Sequence, residues 1–588
     1  MPLPSQTFQA IAVSPGIAIG RVMRIMPHNR LLEPEPHPIT EEEVASELER
    51  YHEAQQRTRE QLTELQNRVR TRLDSHDADI FEAHLMLVDD RTLNAEVEKN
   101  IREEHFSVEY ALYRASEHFA SVFSGMQDEY LRERAADIRD VAARVLSNLR
   151  EAHAEERGLD DRRIIVASSL SPSETAQLDR RKVLGFAVET GSATSHTAIL
   201  ARSMQLPAVV GIPPELPEKL TADDKLIIDG FNGKLIVNPD GRTEEAYRLK
   251  AETTGALISE LERENDLRPE TTDGFLVQLA ANIDTPESFG EVKRAGAAGV
   301  GLFRTEYLYL NRDSMPDEEE QFEIYKQLLV TADESPVTVR TLDVGGDKFS
   351  STIYRASEQN PFLGLRGIRL CLHERRDLFE TQLRALLRAG VYGNLRVMLP
   401  MVSSIREVIE VHSIIEQLQQ KLAAEKREFA STLPIGIMIE TPSAALLADK
   451  FAPLVDFFSI GSNDLVQYTM AIDRGNDRVA YLYRPSHPAI LELIRLTVTA
   501  AQRHNIWIGV CGQMAADAYM VPLLVGLGVH ELSMAPASIS IVRRVIRSLS
   551  MHEAEEAARK ALDCDNASDS LAISEALLRK CAPEIANI

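Results

Sequence analysis

The spacing of hydrophobic positions changes along the chain and divides it into regions. The first thirty residues are strand-like and are punctuated by Gly and Pro. From Thr40 onward apolar residues recur at helical spacing in a charged background, and Thr40 followed by Glu43 predicts a capping box. Residues 31–149 are therefore predicted to form a helical hairpin or bundle.

Strand patterning returns at about residue 150. Apolar runs follow one another in RRIIVASSL, VLGFAVE, LPAVVG and KLIIDGFNGKLIVNP, all before residue 240. These runs predict an α/β domain made of residues 1–30 plus 150–240, into which the helical block is inserted. The charged residues 241–269 predict a helical linker that ends at Pro269.

Eight further apolar strands alternate with helical patterns over residues 270–588, which is typical of a (β/α)8 barrel. The predicted fold class is thus a multidomain α/β protein with an inserted helical bundle and a C-terminal barrel. In such barrels the chemistry lies where the strands end, because the loops converge there. The polar residues at or near those strand ends are Asn282, Arg304, Arg340, Glu440, Asn463, Asp464 and Cys511.

Composition narrows the possible functions. The chain has 588 residues, too many for one core, and a net charge of −25. Such an acidic chain is unsuited to nucleic acid but could attract a basic protein partner. No run is long enough to span a bilayer, and the first residues do not form a signal peptide. Four cysteines without CxxC spacing indicate a reducing cytoplasm and no zinc site.

A single histidine, His196, stands in the hydroxyl-rich stretch TGSATSHTAIL, between a predicted strand and a predicted helix. The first turn of a helix offers unpaired N–H groups and a dipole that favours an anion. A histidine that carries a phosphoryl group would suit this position. A capping or buried structural histidine is the open alternative on this stretch alone.

Arginines and carboxylates at the barrel rim predict a small phosphorylated acid as the ligand. Guanidiniums that share one mouth repel each other unless a multiply charged anion joins them. Glu440 and Asp464 supply two hard oxygen ligands, which together with substrate oxygens and water can hold Mg²⁺. Any one arginine alone would more simply form a surface ion pair. The arginines concerned are Arg304, Arg340, Arg366, Arg369 and Arg474.

Cys511 ends the seventh predicted barrel strand, beside Gly512. An unpaired cysteine commonly serves as core packing. A thiol that faces a polar mouth could instead give or take a proton at carbon. The sequence leaves this choice open.

Four motifs together resemble enzyme I of the bacterial phosphoenolpyruvate:sugar phosphotransferase system. TSHTAILARSMQLPAVVG is similar to its phosphohistidine signature, and DEYLRERAADIRDVAARVL to the helical subdomain that docks the phosphocarrier HPr. GVGLFRTEYLYLNRD and SIGSNDLVQYTMAIDRGND resemble its two barrel signatures. The likeness runs nearly end to end and in one order, which is far more specific than any single motif.

The resemblance implies a phosphoenolpyruvate-protein phosphotransferase that starts sugar uptake. The neutral imidazole of His196 would attack phosphoenolpyruvate in line, and Cys511 would protonate the pyruvate enolate. The phosphoryl group would then pass to a histidine of an HPr-type phosphocarrier docked on residues 31–149. The implied roles are phosphoenolpyruvate binding by Arg304, Arg340, Arg366, Asn463 and Arg474, Mg²⁺ binding by Glu440 and Asp464, and contact with phospho-His196 by Arg134.

The same resemblance implies a homodimer formed through the barrel and a location in the cytoplasm. It also implies that the α/β domain is a phosphohistidine domain that must swing between the barrel mouth and the phosphocarrier. The linker, residues 241–269, is suited to that bending.

Three departures from the family pattern affect these expectations. Gly191-Ser192-Ala193 replaces a Gly-Gly-Arg that often precedes the histidine, and Gln513 and Ala516 replace the usual Glu and Gly beside Cys511. The nitrogen-related branch of the family often carries an N-terminal sensor domain, and this chain starts directly at the phosphohistidine domain. The sugar branch is therefore favoured, without naming the sugars.

Two other functions are compatible with part of the sequence. A pyruvate dikinase or phosphoenolpyruvate synthase shares the histidine and the barrel but needs a nucleotide domain, and residues 31–149 lack a Gly-rich phosphate loop. A regulatory phosphorelay protein with vestigial catalysis would accommodate Ala193, Gln513 and Ala516. Retention of the four main site residues, His196, Glu440, Asp464 and Cys511, argues against it.

Overall fold

The computed structural model of the chain forms two compact units, residues 1–253 and residues 254–588. It describes residues 5–14, 16–25, 34, 36–72, 84–124, 138–139, 141–146, 148–149, 162–168, 170, 182–189, 201, 206–309, 314–345, 360–473 and 479–586. Within this part of the chain no helix is both long and apolar enough to cross a bilayer.

The first unit contains an eight-stranded sheet in the order β1-β8-β7-β3-β4-β5-β6-β2. The four adjacent strands β3, β4, β5 and β6 are parallel to one another. All other neighbouring pairs in the sheet are antiparallel. The central strands are buried along their whole length, which explains their unbroken runs of Ile, Val and Ala. The strands are β1 (Gln6–Gln9), β2 (Ile11–Ser14), β3 (Ile17–Ile25), β4 (Arg163–Ala167), β5 (Val183–Val188), β6 (Ala208–Val210), β7 (Lys225–Asp229) and β8 (Lys234–Val237).

Helices lie between β3 and β4, where the apolar periodicity predicts them. The Glu43 carboxylate accepts hydrogen bonds from the Thr40 backbone N–H and hydroxyl, and the helix proper begins at Val44, after one turn. The longer helices are α1 (Val44–Arg72), α2 (Arg91–Arg102) and α3 (Val108–Ser124), and residues 84–88 and 141–146 are helical as well. A short helix, α4 (Leu216–Lys219), precedes β7.

The predicted linker forms one continuous helix, α5 (Gly241–Glu262), and residues 263–269 follow it as turns and irregular chain. In the first unit, Lys225 Nζ lies 2.6 Å from Glu244 Oε1 and ties the start of α5 to the sheet. In the second unit, Arg544 Nη2 lies 2.6 Å from Glu264 Oε1 and fastens the chain just beyond the helix. The linker helix therefore ends seven residues before Pro269, since irregular chain anchored to the second unit replaces its predicted last turns.

The second unit is a closed barrel in which every strand runs parallel to its neighbours. Its eight strands coincide with the eight apolar runs of the sequence. They are β9 (Gln278–Ile283), β10 (Val300–Phe303), β11 (Val337–Arg340), β12 (Leu395–Leu399), β13 (Ile435–Ile439), β14 (Phe457–Gly461), β15 (Trp507–Cys511) and β16 (Glu531–Met534).

Helices surround the barrel and cover it with apolar faces that belong to one large core. Seven of them have ten residues or more, one has nine, and the others have four to six. They are α6 (Phe289–Arg294), α7 (Glu318–Ala332), α8 (Ile368–His373), α9 (Arg376–Ala389), α10 (Ile405–Ala424), α11 (Pro442–Leu446), α12 (Ala448–Phe451), α13 (Ser462–Met470), α14 (Pro488–His504), α15 (Gln513–Ala516), α16 (Val521–Gly526), α17 (Ile539–Ser548), α18 (Met551–Leu562), α19 (Ala567–Cys581) and α20 (Pro583–Ala586).

The predicted fold class is confirmed, both in the α/β unit with its inserted helices and in the C-terminal barrel. What matters for function is that the carboxyl ends of β9 to β16 all open at one end of the barrel. Because the strands are parallel and in register, for example Gly461 opposite Cys511, residues far apart in sequence meet there.

A buried carboxyl group, Glu531, lies at the first residue of β16 and is only 4% exposed. Burial raises its pKa to about 8, and the nearby Arg396 guanidinium opposes the increase. Gly301 leaves space for this side chain, because a Cβ there would lie 2.7 Å from Glu531 Oε1. The Arg396 guanidinium lies 5.1 Å from the ring centroid of Trp507, so Glu531 and the chain's one tryptophan share a neighbour.

Replacing Glu531 by Gln is expected to stabilise the barrel at alkaline pH. In the unfolded chain a glutamate has a pKa of about 4.3. Between about pH 4.3 and about pH 8 the folded chain therefore binds more protons than the unfolded chain does. As a result, the unfolding free energy of the wild type falls as pH rises through this range. The unfolding free energy of Glu531→Gln relative to wild type should increase by about 3 kcal/mol from pH 5 to pH 8.5. Urea unfolding followed by Trp507 fluorescence measures it, with the exposed Glu323→Gln as control. Parallel pH curves for wild type and Glu531→Gln would contradict the expectation.

Candidate active site

The sequence-predicted site residues divide into those that the structure describes and those that it does not. His196, Arg134, Arg474 and Ala193 lie outside the described residues, so their roles stay predictions. The others lie at the carboxyl ends of barrel strands or in the segments that directly follow them. They are Arg304, Arg340, Arg366, Glu440, Asn463, Asp464 and Cys511.

Glu440 follows the last residue of β13 and is fully buried. Its Oε1 accepts a hydrogen bond from the backbone N–H of Met401, a residue held at φ +57°, in the left-handed region. Its Oε2 is buried and accepts no hydrogen bond from any described residue. A buried acceptor without a donor is costly unless a cation satisfies it, so this oxygen is suited to a metal ion.

Asn463 and Asp464 stand in the first turn of α13, directly after β14. Gly461 permits this approach, because a Cβ there would lie 2.8 Å from Glu440 Oε2. Asn463 Oδ1 accepts from the backbone N–H of Gln513 at 3.3 Å, which joins the ends of β14 and β15. Asp464 is buried at 8% exposure, and its charge is one of those that act on Glu440.

Arg340 is the last residue of β11 and is 6% exposed. Its Nη2 donates to Glu306, and its Nη1 lies 3.0 Å from Asp343 Oδ2. Its Nε is buried and donates to no described residue. A guanidinium whose two Nη groups are held by carboxylates and whose Nε–H is unpaired is preorganised to bind an anion.

Most N–H groups of Arg366 already donate to other groups of the protein. Its Nε and Nη2 donate to the two carboxylate oxygens of Asp343 at 3.2 and 2.9 Å. Its Nη1 lies 3.2 Å both from Asp464 Oδ1 and from the Tyr468 hydroxyl. Only one of its five N–H groups remains for a ligand, so this arginine is held chiefly against carboxylates of the site itself.

Three residues of this cluster were missed by the sequence reasoning: Glu306, Asp343 and Tyr468. Two of them stand just after a predicted site arginine, in RTE and in RTLD. The rule that guanidiniums sharing a mouth need an anion to join them could have identified these carboxylates. The sequence interpretation took that anion to be a ligand, whereas in the structure the carboxylates of Glu306 and Asp343 partly fill this role.

Arg304 lies closer to the solvent than Arg340 and Arg366. Its side chain is 38% exposed, and its Nη1 donates to Asp284 Oδ1 at 3.0 Å. Nearby, Asn282 Nδ2 donates to the carbonyl of Ser533 at 3.2 Å and joins β9 to β16. An exposed arginine with a single partner can turn toward an incoming anion at little cost.

Cys511 ends β15 with its thiol inside the barrel. The residue is 3% exposed and packs with the apolar side chains of Leu302, Met398 and Met438. Burial raises its pKa to about 11, so the sulfur keeps its proton at neutral pH. A protonated thiol is the form that a proton donor requires.

The electrostatics of the mouth favour neutralisation by a cation. Burial raises the pKa of Glu440, the charges of Asp464 and Asp343 raise it further, and Arg366 and Arg340 oppose them. Among the described residues no three His, Cys, Asp or Glu side chains converge as a metal site. Two carboxylates completed by substrate oxygens and water are how Mg²⁺ is commonly bound, so Glu440 and Asp464 fit a shared, substrate-assisted site.

Comparison with known proteins places this geometry in context. Three protein-family models match successive stretches of the chain. They are "PEP-utilising enzyme, N-terminal" over residues 9–134, "PEP-utilising enzyme, mobile domain" over residues 159–233, and "PEP-utilising enzyme, PEP-binding domain" over residues 259–551. His196 falls within the second stretch and the barrel residues described above within the third.

Curated relatives match almost the whole chain. A protein of Staphylococcus aureus is 43% identical over 561 residues, which cover 95% of this chain and 97% of that protein. One of Staphylococcus carnosus is 42% identical over 561 residues, with the same coverage. One of Priestia megaterium is 43% identical over 552 residues, covering 94% and 95%. Each of these relatives is named phosphoenolpyruvate-protein phosphotransferase.

Proposed function

The chain belongs to the phosphoenolpyruvate-protein phosphotransferase family, and from this membership we propose that His196 takes the phosphoryl group from phosphoenolpyruvate bound at the barrel mouth. The predictions of the family, of an enzyme and of a phosphoenolpyruvate-utilising function are confirmed by the comparisons. The observation that carries the proposal is the buried cluster of Arg340, Arg366, Glu440 and Asp464 where the barrel strands end.

Binding of the substrate is assigned to the arginines. Arg340 would receive the phosphate with its remaining N–H, and Arg304 would turn from Asp284 to close on it. Arg474 and Asn463 are proposed to complete the contacts, with Arg366 nearby. Most of the catalytic effect of such a site comes from positioning and from neutralising charge on the transferred group.

Glu440 and Asp464 are proposed to hold Mg²⁺. The buried Oε2 of Glu440, which accepts no hydrogen bond from a described residue, supports this choice. When bound, the ion neutralises negative charge on the phosphate and carboxylate oxygens of the substrate. The two carboxylates orient it, and Met401 fixes Glu440 through its backbone N–H.

The phosphoryl group moves from the enol oxygen of the substrate to a ring nitrogen of His196. The P–O bond breaks, the N–P bond forms, and pyruvate enolate is left in the barrel. Cys511 is proposed to give its thiol proton to the enolate carbon, a role supported by its pKa of about 11. Ser459 is the side chain that lowers this pKa most, and bulk water restores the proton afterwards.

A small phosphocarrier protein of the HPr type is the proposed acceptor in the next step, docked on residues 31–149, with Arg134 near phospho-His196. The domain limits of residues 1–30 plus 150–240, 241–269 and 270–588 belong to this proposal, as does a homodimer through the barrel. A cytoplasmic site of action is proposed because all four cysteines are free thiols. Sugar uptake is the proposed process that this phosphoryl transfer starts.

The direct test uses purified full-length protein with Mg²⁺ and ³²P-phosphoenolpyruvate, without nucleotide. Acid-labile label on the protein and one pyruvate released per label are the expected result, followed by transfer of the label to added HPr-type carrier. Labelling from γ-³²P-ATP but not from phosphoenolpyruvate would favour the dikinase alternative. Labelling from neither donor, with retained carrier binding, would favour the regulatory phosphorelay protein.

A further inference from the structure

One carboxylate, Asp343, lies between the two buried arginines of the barrel mouth. Its Oδ2 accepts from Arg366 Nη2 at 2.9 Å and lies 3.0 Å from Arg340 Nη1, and its Oδ1 accepts from Arg366 Nε at 3.2 Å. The residue is 1% exposed. Two guanidiniums are thus held side by side by one buried charge.

The backbone around Asp343 is fixed from both sides. The N–H of Leu342 donates to Gln382 Oε1 at 2.9 Å, inside the core. Gly367, at φ +57°, comes close on the other side, where a Cβ would lie 3.2 Å from Asp343 Oδ1. The backbone that carries this carboxylate is therefore constrained by contacts that do not involve the two arginines.

The orientation of Arg366 decides what Asp464 can do. Asp343 pairs with the Nε–Nη2 edge of the guanidinium, so only Nη1 points toward Asp464 Oδ1, at 3.2 Å. Nη1 is shared with the hydroxyl of Tyr468, which lies one helical turn after Asp464 and donates to the carbonyl of Phe362. Arg366 consequently makes one long hydrogen bond to Asp464 instead of a bidentate ion pair.

We infer that Asp343 is a positioning residue that keeps Arg366 from neutralising Asp464, and so leaves that carboxylate available to a divalent cation. This inference rests on the proposed function, because it assumes that Asp464 is a metal ligand. Without the charge of Asp343, Arg366 turns its free edge onto Asp464 and competes with the ion for the same oxygens. Tyr468 also limits how strongly Arg366 binds Asp464, since its hydroxyl shares the Nη1 group of Arg366 with Asp464.

The test measures Mn²⁺ binding to the full-length protein by electron paramagnetic resonance, with saturating phosphoenolpyruvate present because its oxygens are expected to complete the site. We expect Asp343→Asn to raise the Kd for Mn²⁺ about tenfold or more, and Tyr468→Phe to raise it two- to fivefold. The matched control is Asp377→Asn: Asp377 binds Arg375 Nε and Nη2 at 3.0 Å each, on the surface of the same unit, and its Mn²⁺ Kd should equal that of wild type.

The possible outcomes separate this inference from the proposed function. Wild-type protein that binds no Mn²⁺ at millimolar concentration, even with phosphoenolpyruvate present, would refute the proposed metal site, and the inference with it. Mn²⁺ binding that is equal in wild type and in folded Asp343→Asn would refute the inference alone. Should Asp343→Asn not fold, Tyr468→Phe decides: an unchanged Kd overturns the inference, and a weaker one supports it.

Discussion

A His196→Ala variant is expected to take up no acid-labile phosphoryl group from phosphoenolpyruvate. The imidazole is the only group proposed to form the N–P bond, so the rate of pyruvate release should fall at least about 10⁴-fold. The barrel is a separate compact unit, residues 254–588, and its affinity for phosphoenolpyruvate and Mn²⁺ should stay within about twofold of wild type. Label incorporation and pyruvate release, measured in the same reaction, give both numbers.

The control for this variant is His52→Ala in the first unit. The His52 side chain is 54% exposed, and its Nε2 lies 3.7 Å from Glu98, so its loss should not change labelling. Acid-labile label that persists in His196→Ala would show that another nitrogen carries the phosphoryl group. Loss of substrate affinity together with labelling would indicate that the variant has damaged the fold.

A Glu440→Gln variant is expected to lose metal-dependent activity while keeping its fold. The amide keeps an oxygen for the Met401 N–H, but it removes the charge that the buried Oε2 would offer to Mg²⁺. We expect Mn²⁺ affinity to fall about 100-fold and His196 phosphorylation to slow by roughly 10³-fold. Single-turnover labelling over a range of Mg²⁺ concentrations measures the second effect.

Glu531→Gln is the matched control, because it makes the same chemical change at another fully buried barrel carboxyl whose pKa burial also raises. It stands at the first residue of its strand, at the end of the barrel away from the mouth, and labelling should be unchanged. Equal loss of labelling in both variants would mean that replacing any buried barrel carboxyl disturbs the barrel. Full activity of Glu440→Gln would remove Glu440 from the proposed metal site.

The strands of both units could be located from sequence because their burial leaves a direct pattern. Most residues of the barrel strands are buried, and the clearest strands appear as apolar runs, as in IGIMI before Glu440 and FFSIG before Ser462. A polar residue that follows such a run must lie where the strand ends. That rule placed Arg340, Glu440 and Cys511 correctly at the ends of their strands.

The limits of helices were harder to place. The Glu43 carboxylate accepts hydrogen bonds from the backbone N–H and the hydroxyl of Thr40, and the helix begins at Val44. The linker helix ends at Glu262 and not at Pro269. Periodicity does not reveal such endings, because hydrogen bonds and anchoring contacts outside the helix determine them.

The sequence by itself determined the succession of strands along the chain, the barrel, the family and several of the residues that stand at the barrel mouth. The tertiary structure decided which carboxylate faces which guanidinium. Arg366 and Asp464 are 98 residues apart, and nothing in either local sequence indicates that Asp343 holds the arginine aside. The physical reason is that the backbone pattern is set locally by burial and hydrogen bonding, whereas the pairing of buried charges depends on how the segments that follow different strands approach one another.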